Sequence, residues 1–159
     1  MVESISAQLK DAALRLSEAC NRGKNRILKH KSVAHVTNPL DYAWEFHEQF
    51  IDKWSGFGAT TLLLGMNPGP YGMAQTGVPF GATAMARNVL QIEERDVHTP
   101  LGAHPKRPIE GLSMERQEVS GTRFWSMLSD HYGSTEAIFS NIFVVNHCPL
   151  LILGGTGRN

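Results

Sequence analysis

The sequence predicts an α/β fold, and three observations carry that reading. TLLL at 61–64 has the length and composition of a strand buried on both faces, and IFSNIFVV at 138–145 reads as a second core strand. Each run passes directly into a polar, turn-rich segment. Between Gly65 and Gly81 five glycines alternate with Pro68, Pro70 and Pro79, too irregularly for helix or strand, and Met85, Val89 and Ile92 then recur at helical spacing. Strand, long loop and helix in that order make an α/β unit. Ligands in open α/β sheets bind in the crevice beyond the carboxyl ends of the strands, where this loop would lie.

The elements follow in chain order. Ile5, Leu9, Ala12, Leu16 and Ala19 predict an amphipathic helix over residues 3–20. Arg22, Lys24, Arg26, Lys29 and Lys31 follow with no acidic residue among them, as a solvated connector or a phosphate-facing edge. Ser32 to Thr37 reads as a short strand closed by Asn38-Pro39, a turn signal. Leu40 to Trp54 reads as one helix whose aromatics pack into the core. After the helix expected over Thr83–Ile92, residues 93–118 carry three prolines and little periodicity, the mark of a functional loop or linker. Ser120 is the expected N-cap of a helix through Phe124, Trp125 and Leu128, ended by Gly133. Two clear strands and one short one are fewer than a covered parallel sheet normally holds. The GGTGRN ending reads as the middle of a loop, so the fold is expected to be completed by residues outside this chain.

Composition bounds the function. A chain of 159 residues is one domain's worth. Fifteen basic and fifteen acidic side chains leave no net charge, so attraction to nucleic acid must come from local basic patches. Cys20 and Cys148 show no disulfide or zinc spacing, which points to a reducing, intracellular compartment, cytoplasmic or nuclear according to the source. The first residues lack the apolar core of a secretory signal, and no run approaches the roughly 18 residues of a membrane span.

Several site chemistries fail at the level of motif. GMNPGPYG lacks the lysine of a phosphate-cradling loop and the glycine spacing of a dinucleotide fingerprint. Seven histidines include no HExxH and no Cys/His ligand spacing, and there is no nucleophile elbow, so no metal is expected. The two strand ends offer instead a pair of carboxamides, Asn67 and Asn146, beside the aromatic surfaces of Tyr71 and Phe80. An amide can orient a water, and it can read a planar edge by making one bond of each polarity. Each asparagine also has an ordinary use as a turn residue capping its own backbone.

Four blocks then carry a resemblance: GMNPGPYGMAQTGVPFG at 65–81, HPKRP at 104–108, EVSGTRFW at 118–125 and NHCPL at 146–150. They resemble the single-strand-selective monofunctional uracil-DNA glycosylases, within the uracil-DNA glycosylase superfamily. The resemblance implies a three-layer α/β/α sandwich with a central, mainly parallel sheet, lacking its C-terminal part in this chain. It implies hydrolysis of the bond between uracil and deoxyribose, leaving an abasic site, with 5-hydroxymethyluracil as a further substrate. Uracil-containing DNA, single- and double-stranded, is the implied partner of a monomer that uses no cofactor and no membrane.

Carried over by position, Asn67 places the hydrolytic water, Phe80 stacks on the base, Asn146 reads its edge, and backbone near Gly69 and Met73 shapes the space around C5. An asparagine at 146 can accept from uracil N3–H and donate to O4. Cytosine reverses both polarities, leaving two groups unpaired at about 1–3 kcal/mol each. Lys106 and Arg107 are expected at DNA phosphates, with Pro105 and Pro108 fixing their loop. The family's leaving-group histidine belongs to an HPSP-like motif that this sequence does not contain, so neither His104 nor His147 inherits that role. His147 is expected to order the Asn146 loop, and Cys148 to be a buried small residue. The alternative reading is a non-catalytic nucleic-acid-binding domain that keeps the base pocket.

Overall fold

Ser4 opens the first helix by accepting from the Ala7 N–H at 3.2 Å, and α1 runs Ile5–Ile27 in the computed structural model, which describes residues 3–159. The helix is a turn and a half longer than expected. Lys24 and Arg26, read as part of a connector, lie in its last turn, where positive charge favours the exposed carbonyls. β1 covers only His35–Thr37. Asn38 then caps α2 (Pro39–Tyr42): its Oδ1 accepts from the Leu40 N–H, while its Nδ2 donates to Ser17 Oγ at 2.9 Å and ties α2 to α1.

The helix expected over 40–54 is broken at Ala43, whose φ of −116° and ψ of 28° separate α2 from α3 (Trp44–Trp54). The break receives the glycine loop. Tyr42 Oη donates to the Ala74 carbonyl at 2.6 Å, and a Cβ on Gly77 would sit 2.7 Å from the Ala43 carbonyl oxygen.

β2 (Thr61–Gly65) pairs in parallel with β3 (Ile142–Asn146), in a register that sets Gly65 opposite Asn146. Two expectations change here. Leu62 and Leu64 are 62% and 60% exposed, so β2 is not buried on both faces; only the face carrying half-buried Leu63 packs against the core. Ile138 and Phe139 belong not to the strand but to α7 (Thr135–Phe139), because Ser134 captures the Ala137 N–H and starts a helical turn first.

The apolar run after NHCP forms β4 (Leu151–Leu153), which pairs antiparallel with β1, His35 opposite Leu153. The layers make the expected α/β/α sandwich, with a mixed β layer of one parallel and one antiparallel ladder rather than a mainly parallel sheet. β4 was not among the expected strands. Three residues are too few to show alternation, and its partner β1 is equally short.

The loop after β2 contains one turn of helix, α4 (Met73–Thr76), closed by Gly77 at φ 64°. α5 (Thr83–Asn88) stops short of Ile92. α6 (Val119–Tyr132) begins one residue before the expected cap: Glu118, not Ser120, holds the N-cap position, and Gly133 closes the helix at φ 78° as expected. The core joins Phe46, Phe50 and Trp54 of α3 to Trp125 of α6, Phe139 of α7 and Phe143 of β3. Among the described residues no helix is long and apolar enough to cross a membrane.

Candidate base-binding site

Parallel pairing is what assembles the site. Because Gly65 and Asn146 are register partners, the two chains leave the ladder side by side, and the His147 and Cys148 N–H groups extend the pairing to the Gly65 and Met66 carbonyls at 2.8 and 3.0 Å. Gly65 leaves open the space into which the Asn146 and Phe80 side chains reach. A Cβ there would overlap Asn146 Oδ1 and lie 2.9 Å from Phe80 Cε2. Strand end, amide and aromatic ring therefore close on one another. The Asn146 amide and the Phe80 ring, together with Met66, Asn67, Gly69, Met73, Glu118 and Ser120, line a cavity of about 220 Å³.

Each expected side chain has a definite setting. Asn67 is half-buried; its Nδ2 donates to Asn159 Oδ1 at 3.2 Å, and Asn159 in turn donates to the Pro68 carbonyl at 2.8 Å. Asn146 donates to the Met73 sulfur at 3.0 Å, a weak acceptor that a carbonyl oxygen can displace. Phe80 adopts a left-handed φ of 53°, uncommon for an aromatic residue, and its ring stacks on Phe124 at 4.3 Å between centroids. Trp125 Nε1 holds the Phe80 carbonyl at 3.1 Å, so α6 fixes both the ring and the backbone of this residue.

The loop is stiffened by a buried amide that the sequence reading overlooked. Gln75 donates to the Pro70 and Pro108 carbonyls and accepts from the Glu110 N–H, clamping residues 70–75 to the long connection at 108–110. Glu118 was overlooked as well. Its carboxylate fills the space that a side chain on Gly69 or Gly72 would need, and it also lies beside Gly121. Burial pushes its carboxyl above the ordinary range, while the Gly121 N–H pulls the other way. The sequence signals for Glu118 are its place just before a helical run and at the head of the EVSGTRFW block.

The loop basics separate. Lys106 is exposed, as a phosphate contact would require. Arg107 is half-buried; it donates through Nε to the Gly157 carbonyl at 2.9 Å and through a terminal nitrogen to Tyr71 Oη at 2.6 Å. His104 is buried away from the cavity: Nδ1 accepts from the Lys106 N–H, which leaves Nε2 to donate to the Gly155 carbonyl. His147 is exposed and holds its loop through its backbone N–H, and Cys148 is half-buried rather than buried.

Comparison with known proteins meets this geometry. No family model matches the chain. A single-strand selective monofunctional uracil DNA glycosylase of Bos taurus is 47% identical over 127 residues, covering 80% of this chain and 46% of that protein. Its Rattus norvegicus counterpart is 40% identical over 159 residues, covering all of this chain and 57% of the relative. This likeness assigns the chain to the SMUG/uracil-DNA glycosylase superfamily.

This glycosylase-superfamily chain spans about half the length of the curated relatives it matches. The crystal structure of wild-type Pedobacter heparinus SMUG2 shares its fold, with a TM-score of 0.51 at 18% identity over 90% of this chain and 58% of the other.

Proposed function

We propose that the chain supplies the base-binding part of a monofunctional glycosylase that hydrolyses the N-glycosidic bond of uracil, and of 5-hydroxymethyluracil, in single- and double-stranded DNA. The observation that supports it is the convergence of Asn67, Phe80 and Asn146 on one cavity at the paired ends of β2 and β3. A base reached there must leave the duplex stack, as base-modifying enzymes require.

Each side chain then has a chemical task. Phe124 backs one face of Phe80, and the flipped base stacks on the other. Asn146 exchanges the Met73 sulfur for uracil O4 and accepts from N3–H. Asn67 holds a water against C1′. The water oxygen bonds to C1′, the C1′–N1 bond breaks, and the base departs as an anion that takes up a proton to become free uracil. None of the three side chains is an acid, so stabilising the departing base is a separate task. The protein acts as a monomer, without metal or cofactor, and leaves an abasic site.

The test is release of free uracil from single- and double-stranded oligonucleotides at low salt, with Asn67→Ala beside the parent. Asn67→Ala is expected to lower turnover at least about tenfold with little change in DNA affinity. Release no higher than background in the parent, or equal losses of binding and turnover in the variant, refutes the assignment.

A further inference from the structure

Beside the base cavity, two arginines converge on one tyrosine. Tyr71 lies between Gly69 and Met73, both of which line the cavity, and its hydroxyl oxygen accepts from Arg107 at 2.6 Å and from Arg116 at 3.0 Å. Both guanidiniums also lie over its ring, 5.3 and 4.1 Å from the centroid. The three residues are brought together from the glycine loop, the long connection and the approach to α6.

Two like charges sharing one oxygen repel each other, and the ring face and hydroxyl offset only part of that repulsion. Among the described residues Arg15, Arg22, Arg87 and Arg95 pair with carboxylates, whereas Arg107 and Arg116, like Arg26, Arg123 and Arg158, do not. No ion pair among the described residues includes the two arginines that meet at Tyr71. Arg107 is already engaged by the Gly157 carbonyl as well as Tyr71, whereas Arg116 is exposed and keeps most of its donors. Such a preset, uncompensated fork suits an oxyanion with several acceptor oxygens.

We propose that Tyr71 is the platform of an anion site at which Arg116, supported by Arg107, grips a backbone phosphate of the DNA strand that delivers its base to the adjacent cavity. The inference rests on the glycosylase reading for the identity of the anion. The tyrosine keeps the guanidiniums spread and oriented before DNA arrives, so less side-chain freedom is lost on binding. The contact is blind to sequence, and each phosphate so neutralised releases counterions.

The experiment measures binding of the whole chain to a short uracil-free single strand across a salt series, with uracil release measured separately. Arg116→Gln is expected to weaken binding about threefold to tenfold and to flatten the slope of log affinity against log salt by about 0.7. Arg116→Lys is expected to keep the slope with intermediate affinity, because charge remains and the fork is lost. Tyr71→Phe keeps the ring, removes the shared acceptor, and is expected to weaken binding about twofold.

Unchanged affinity and slope in Arg116→Gln, with the parent still binding, overturns the phosphate site and leaves the glycosylase reading standing. Salt-dependent binding that falls in Arg116→Gln, from a parent that releases no uracil, supports the site and overturns the catalytic reading. A parent that binds no strand at low salt overturns both. Should Arg116→Gln lower the melting temperature, Arg116→Lys decides: a kept slope with intermediate affinity supports the site, and affinity equal to the parent's overturns it.

Discussion

Replacing Gly121 by alanine sets two calculable effects against each other. Gly121 occupies the third position of α6, where exchanging glycine for alanine favours a helix by up to about 1 kcal/mol. The new Cβ, however, would overlap the Phe80 carbonyl oxygen and stand 3.0 Å from its carbon. These are backbone atoms, held by Trp125 Nε1 on one side and by the Ala82 N–H at 2.8 Å on the other, and they cannot swing aside. Forcing a methyl into closed packing costs about 1–3 kcal/mol, and an overlap with fixed backbone belongs to the upper part of that range, about 2–3 kcal/mol, so the clash wins. The net loss of about 1–2 kcal/mol corresponds to a fall in melting temperature of about 2–8 °C for a chain of this size. Urea denaturation followed by tryptophan fluorescence measures it, with buried Trp125 as a reporter. Gly69→Ala supplies the contrast, because its Cβ would meet only the Glu118 carboxylate, the movable end of a side chain. Its smaller loss is expected to vanish in a Glu118→Ala background. A Gly121→Ala protein as stable as the parent would refute the idea that this close approach fixes Phe80.

Two further predictions concern pH. Glu118 has a folded pKa above its unfolded one, so its contribution to stability is complete below the ordinary carboxylate range and is lost as pH rises through the raised pKa. Glu118→Gln should therefore gain on the parent as pH climbs through that window and then level off, and parallel stability profiles would sink the idea. His47 behaves oppositely. Burial lowers its pKa to about 4 although Nδ1 donates to the Gly77 carbonyl at 2.8 Å, so the folded state holds it neutral. Its contribution is complete above its ordinary 6.5 and is lost as pH falls toward 4, on the order of 3 kcal/mol in all. His47→Asn, which can still donate to Gly77, should remove that slope; an unaltered acid limb would refute the assignment.

What was legible in the sequence was whatever depends on local pattern or on a long motif. The apolar runs marked β2 and β3, Gly133 marked the end of α6, and the blocks around Asn67 and Asn146 announced two chain segments that the parallel register does place together. What escaped depends on partners distant in sequence. Nothing local to TLLL says that only one of its faces is covered, and nothing local to residues 40–54 says that the glycine loop docks into a break at Ala43. IFSNIFVV looks like one strand because its composition suits β-structure throughout; a single serine cap upstream takes its first two residues into a helix. Glu118 and Gln75 lie inside the blocks that carry the resemblance, but nothing in those blocks states what either side chain touches. Their importance lies in filling space that glycines leave and in joining loops more than thirty residues apart.

The missing side chain at Gly65 bears on how such a site can change over generations. The amide of Asn146 and the ring of Phe80 both lean into the volume that a methyl there would occupy. Mutation at this single codon would thus disturb the Asn146 amide and the Phe80 ring in one step. The two side chains are coupled through a residue that belongs to neither, so what either can become is bounded by the space Gly65 leaves open.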